Sequence, residues 1–150
     1  MNYPIDTNAL SELKKRKPQP GVAHWFAERP AATLYLSVLT LGELRKGIEA
    51  MVEGERKQSY LDWLENDVPV YFSGRIIPID TRIADCWGRL CASAGRTLPA
   101  IDSLFAATAM SHDLTMVTRN VVDFKLSSLQ VINPITFGAK HFIACMIFPT

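Results

Sequence analysis

TLYLSVLTLGELRKGIEAM, residues 33–51, changes its periodicity halfway along. Thr33 to Val38 is rich in β-branched and aromatic side chains and reads as a buried strand. Leu41, Leu44, Ile48 and Met51 then recur at spacings of three and four, which sets them on one face of a helix. The same alternation extends upstream. Tyr3 to Ile5 is a short apolar run that stops at Asp6, and Thr7 and Asn8 favour turns and helix caps. Leu10 and Leu13 support a first helix, ended by the basic run Lys14 to Lys17 and by Pro18 and Pro20. Val22, Trp25 and Phe26 mark a short second helix.

Downstream, Tyr60, Trp63 and Leu64 predict a helix ending near Pro69. Ile76 to Ile79 reads as a strand that Pro78 keeps short or peripheral. Ile83, Trp87 and Leu90 lie on a helix closed by Gly95, with Asp80 and Thr81 as its cap. AIDSLFAATAM, residues 100–110, is apolar almost all round, as in a helix buried within a domain. Leu114 to Thr118 is a strand, Asp123 and Phe124 sit in the loop after it, and Val131 and Ile132 form a last short strand. Strands alternating with helices predict an α/β fold, a parallel sheet covered on both faces. The tetrapeptide PIDT occurs at Pro4–Thr7 and again at Pro78–Thr81, too short a repeat to indicate duplication.

A chain of 150 residues can bury a core without disulfides or a structural metal. Cys86, Cys91 and Cys145 are odd in number and lack metal-site spacing, so they read as thiols in a reducing compartment. No apolar run is long enough to span a bilayer and the start lacks a signal-peptide pattern, which makes the cytoplasm the expected location. The net charge of +1 neither favours nor excludes a nucleic-acid partner. Lys14 to Lys17, Arg45 and Lys46 are the candidate phosphate guides; the basic run also fits a helix end whose cations complement the macrodipole.

Asp6, Glu43, Asp102 and Asp123 are far apart in sequence, yet each falls at a strand end, at a helix beginning or in the loop after a strand. Parallel strands joined by right-handed crossovers bring all such positions to one edge of the sheet, where open α/β sheets place their ligand sites. In this reading Asp6 ends the first strand, Glu43 opens the helix after the second, and Asp102 opens the buried helix. Each has a plainer alternative: a cap for Asp6, a surface helix position for Glu43 beside Lys46, a turn for Asp123. Asp102 lies among apolar residues, and a buried carboxylate needs a partner. Two carboxylates about 5 Å apart repel by roughly 3 kcal/mol at an effective dielectric near 20. A hard divalent cation removes that repulsion, and Mg²⁺ or Mn²⁺ suits a site without histidine or cysteine. The residues thus describe a metal-dependent hydrolase.

DTNALSEL (Asp6–Leu13), YLSVLTLGELRKGIE (Tyr35–Glu49), PAIDSLFAATA (Pro99–Ala109) and VTRNVVDF (Val117–Phe124) together resemble the PIN-domain ribonucleases. The likeness is greatest to the toxin subunits of VapBC-type toxin–antitoxin systems and their FitB-like relatives. It runs to about Asn133, and the order and spacing of four motifs make it specific. The resemblance implies a three-layer α/β/α sandwich around a parallel sheet over residues 1–138, with 139–150 as a C-terminal extension. It implies Mg²⁺- or Mn²⁺-dependent endoribonuclease activity, with Asp6, Glu43, Asp102 and Asp123 as catalytic and metal-holding residues and Asn8 and Thr118 in support. It also implies a cognate antitoxin, an RNA substrate and a homodimer. Two departures stand out. Pro4 removes a ladder donor inside the first strand, two residues before Asp6, and Lys140 to Thr150 is an apolar tail beyond the family's usual end.

Two other classes compete. A receiver-type phospho-acceptor domain also gathers aspartates at this edge, but it needs an acidic pair at the first strand end, where Asp6 is followed by Thr7 and Asn8. A PIN-like module that binds RNA or a partner without catalysis would have no use for the complete acidic set.

Overall fold

The computed structural model describes residues 1–118 and 129–135. Asp123 and the apolar tail lie outside the described residues. Five parallel strands form one sheet in the order β3-β2-β1-β4-β5. They are β1 (Tyr3–Ile5), β2 (Leu34–Ser37), β3 (Ile76–Ile77), β4 (Met116–Val117) and β5 (Val131–Ile132). The helices on one side are α1 (Thr7–Lys14), α2 (Pro20–Ala27), α3 (Val38–Glu49), α4 (Glu55–Asp62) and α5 (Val68–Tyr71). Those on the other side are α6 (Thr81–Ser93) and α7 (Ala100–Ser111).

Alternation along the strands divides the core in two. Leu34 and Leu36 of β2 and Ile5 of β1 pack with Trp25, Phe26, Leu44, Trp63 and Phe72 on the first side. Tyr35, Ile77 and Met116 face the second side with Ile83, Leu90 and Phe105. The result is the three-layer sandwich expected from the sequence. The chain builds outward through β1, β2 and β3, then returns to place β4 on the other flank of β1. That reversal sets a topological switch point between β1 and β4, the place where open sheets of this kind bind ligands.

Several expected boundaries shift. The strand read at Thr33–Val38 is Leu34–Ser37, because Ser37 caps α3 and Val38 already belongs to the helix. Glu43 therefore lies in the second turn of α3 instead of opening it. The helix around Trp63 does not stop near Pro69. A π-helical turn, Trp63–Asp67, carries it into α5 with Pro69 in that helix's first turn. Widening the helix here accommodates a residue that lacks an N–H and crowds the carbonyl four back. Gly95, with φ at +66°, follows the C-cap Ala94 of α6 as expected of a left-handed terminator.

Pro4 occupies the central strand, paired in register with Tyr35. Towards β4 the ladder runs from Thr115 N–H to the Asn2 carbonyl (3.0 Å), then from Asp6 N–H to the Val117 carbonyl (3.1 Å). The missing proline donor falls between these two bonds, on the same side of the strand. One rung is lost, and the bonds on either side hold Asp6 at the strand end.

Candidate active site

Asp6 is the N-cap of α1. Its Oδ1 accepts the Ala9 N–H at 2.7 Å and its Oδ2 accepts Thr118 Oγ1 at 2.5 Å. A buried carboxylate is tolerated only with donors of this kind. One donor is local and the other arrives with β4, so the orientation of the group depends on the sheet being complete.

Glu43 reaches the same place through α3. Ser37 Oγ accepts the Leu39 N–H at 3.2 Å, and Thr40 Oγ1 donates to the Ile5 carbonyl at 3.3 Å. These bonds pin the first turn of α3 against the end of β1. Glu43, three residues beyond Thr40, is exposed, and its Oε2 accepts a short hydrogen bond from Thr7 Oγ1.

Asp102 stands in the first turn of α7, where the helix dipole favours a negative charge. It is half-buried and turned towards a cleft, not enclosed in the core as its neighbours suggested. No side chain caps α7. Instead Trp87 Nε1 of α6 donates to Ser103 Oγ at 2.8 Å, and Ser103 Oγ donates to the Ala100 carbonyl at 3.1 Å. The turn that carries Asp102 is thereby fixed to the neighbouring helix.

These elements enclose a cleft of about 360 Å³. Asp6, Glu43 and Asp102 all line it, together with Asn8 and Thr118. Every expected site residue that the structure describes is therefore in one cavity. Asn8 is exposed there, and hydrogen bonds hold the carboxylates through Thr7 and Thr118. Thr7 was not singled out in the sequence, because its position suggested only a helix start. Lys46 and Gly47 of α3 and its C-cap Ala50 complete one wall, and Ile101 and Phe105 of α7 stand in the other. The signal for the first wall was present: Glu43, Lys46, Gly47 and Ala50 follow helical spacing beside the apolar stripe.

The basic candidates separate clearly. Arg45 donates to Glu65 at 2.7 Å and pairs with Glu49 at 3.4 Å; chiefly the Glu65 hydrogen bond raises its pKa. Lys15 is bound to buried Glu12 at 2.6 Å, and Lys14 donates to Ser59 at 3.2 Å. Among the described residues, Lys46 is the cation that lines the cleft.

Carboxylate, hydroxyl and amide groups and the Lys46 ammonium supply the polar lining, without histidine or cysteine among the described residues. Its oxygen donors suit a hard divalent cation. No three acidic, histidine or cysteine side chains among the described residues form a group able to hold one ion. The tight cluster expected from the sequence is here a more open arrangement, with two carboxylates held by threonine hydroxyls.

Residues 3–125 match the family model of the PIN domain, and the chain belongs to the PIN-domain family. The receiver-type alternative is thereby set aside. The chain is 36% identical over 133 residues to a VapC ribonuclease of Sinorhizobium fredii, spanning 87% of this chain and 95% of that protein. It is 33% identical over 133 residues to the toxin FitB of Neisseria gonorrhoeae, spanning 87% and 96%. The crystal structure of FitAcB from Neisseria gonorrhoeae superposes with a TM-score of 0.83 at 31% identity, covering 90% of this chain and 99% of that one.

Proposed function

We propose that this protein is a metal-dependent endoribonuclease, the toxin of a toxin–antitoxin pair acting on RNA in the cytoplasm. The observation that carries this reading is the convergence of Asp6, Glu43 and Asp102 on one cleft at the sheet's switch point in a PIN-domain chain. Its relatives include a ribonuclease and a toxin. No helix among the described residues is long and apolar enough to cross a membrane.

Asp6, Glu43, Asp102 and Asp123 would hold Mg²⁺ or Mn²⁺. When bound, such a cation lowers the pKa of water and offsets charge on phosphoryl oxygens. The chain's own groups do the positioning. Thr118 and the Ala9 N–H fix the Asp6 carboxylate before substrate arrives. Thr7 holds Glu43, which orients the attacking water. That water's oxygen bonds to phosphorus as the 3′-oxygen leaves, giving 5′-phosphate and 3′-hydroxyl ends. Such a nuclease needs restraint in its own cell, so a cognate antitoxin would cover the cleft of a homodimeric toxin.

Asp6→Asn and Asp102→Asn test the reading. Asparagine caps a helix as well as aspartate, so the position 6 variant should stay folded. Both substitutions should lower Mg²⁺-dependent RNA cleavage by at least about a hundredfold. Asp6→Ala should lose the cap as well, costing about 1 kcal/mol in urea unfolding. Undiminished cleavage by either asparagine variant would overturn the assignment.

A further inference from the structure

An acidic cleft that takes a polyanion needs a feature that draws the phosphate backbone in. Among the cations proposed for this role, Arg45 is committed to Glu65 and Glu49, and Lys15 to Glu12. Lys46 is exposed and lines the cleft, and no carboxylate among the described residues pairs with it. Glu43, one turn before it, is engaged by Thr7 instead. Among the described residues, nothing competes with a ligand for the Lys46 charge.

Its neighbours on the helix support the same direction. Gly47 and Ala50 line the cleft on the stripe that holds Glu43 and Lys46. Glycine is among the least favourable residues inside a helix. A Cβ at position 47 would meet nothing within 4 Å among the described residues, so their packing does not demand a glycine there. What the small residues do is keep the α3 wall low, facing Ile101 and Phe105 of α7.

We propose that Lys46, Gly47 and Ala50 form the track for the substrate's sugar–phosphate backbone, with Lys46 contacting a phosphate next to the bond that is cut. The track rests on the ribonuclease reading and adds to it the wall along which the RNA lies. Lys46 positions the strand through charge, and the two small residues let the backbone lie close to the helix. The carboxylates remain the reacting machinery.

The test is steady-state cleavage of a single-stranded RNA oligonucleotide in Mg²⁺ by the full chain, over a range of salt concentrations. Lys46→Gln should raise KM about tenfold with kcat unchanged, as loss of a charged hydrogen bond implies. The slope of log kcat/KM against log salt should shrink by about 0.7, the value for one phosphate contact on a single strand. Lys46→Arg should restore both. Gly47→Leu should raise KM while the protein unfolds at an unchanged or higher urea concentration. Arg45→Gln removes the same charge one residue away and should leave both parameters alone. An unchanged KM and salt slope in Lys46→Gln would overturn the track while leaving the nuclease assignment standing. A fall in kcat without a change in KM would overturn it too. A wild-type chain that cuts no RNA with Mg²⁺ or Mn²⁺ would end both.

Discussion

Thr118 and Asp6, 112 positions apart in sequence, are joined by a hydrogen bond of 2.5 Å from Oγ1 to Oδ2. The bond ties the end of β4 to the end of β1 and aims the carboxylate into the cleft. Thr118→Val keeps the shape and removes the donor. Loss of a hydrogen bond to a buried charge should cost about 1–3 kcal/mol in urea unfolding. RNA cleavage should fall by about 10–100-fold, as when residues that orient metal ligands are removed. Thr118→Ser should recover most of both. A valine variant as active as wild type would show that Asp6 needs no such orientation.

Gly21 permits a close approach between two distant segments. A Cβ there would stand 2.6 Å from the Ile135 carbonyl oxygen and 2.9 Å from that of Pro134, both backbone atoms. Alanine is the better helix former, so propensity alone predicts that Gly21→Ala stabilises α2. The contact predicts the reverse, a loss of about 1–3 kcal/mol as for other overpacked sites. The sign of the change in urea midpoint decides between them.

Arg75 gathers three backbone carbonyls just before β3. Its Nη1 donates to Ala31 and Leu34, each at 2.5 Å, and its Nη2 donates to Tyr71. The guanidinium also lies over the Tyr71 and Phe72 rings, 5.6 and 5.4 Å from their centres. An ammonium cannot reproduce a planar fork. Arg75→Lys should therefore destabilise the protein by about 1–3 kcal/mol. Cleavage per folded molecule should be unaltered, because the site lies at the opposite end of β2.

Most of the architecture was legible because the strands and helices carry clean periods. Leu34, Leu36 and the stripe Leu41–Leu44–Ile48 announce their partners by spacing alone. Boundaries were less legible. Ser37 could belong to a strand or cap a helix, and only the bond from Leu39 N–H settles which. Pro69 gave the usual breaker signal, and the chain met it with a wider turn, a response local composition does not encode.

The repeated PIDT shows where local reading of the site reaches its limit. Asp6 and Asp80 do the same work: each accepts an N–H three residues on, from Ala9 at 2.7 Å and from Ile83 at 2.9 Å. Only Asp6 lines the cleft, because β1 is central and β3 is at the margin of the sheet. Strand order separates the two, and strand order is a property of the whole chain. Thr7, which holds Glu43 across 36 positions, was hidden for the same reason.

The central placement of β1 has a consequence for how the protein is made. Asp6 and Glu43 emerge early from the ribosome, whereas Asp102 and the Thr118 hydroxyl belong to the last third of the chain, with β4 arriving to flank a strand laid down at the very start. A nascent polypeptide stalled before Ala100 would own one bank of the channel and nothing opposite it. The cleft is thus closed on both banks only after Thr118 has been made, and shorter products would lack it.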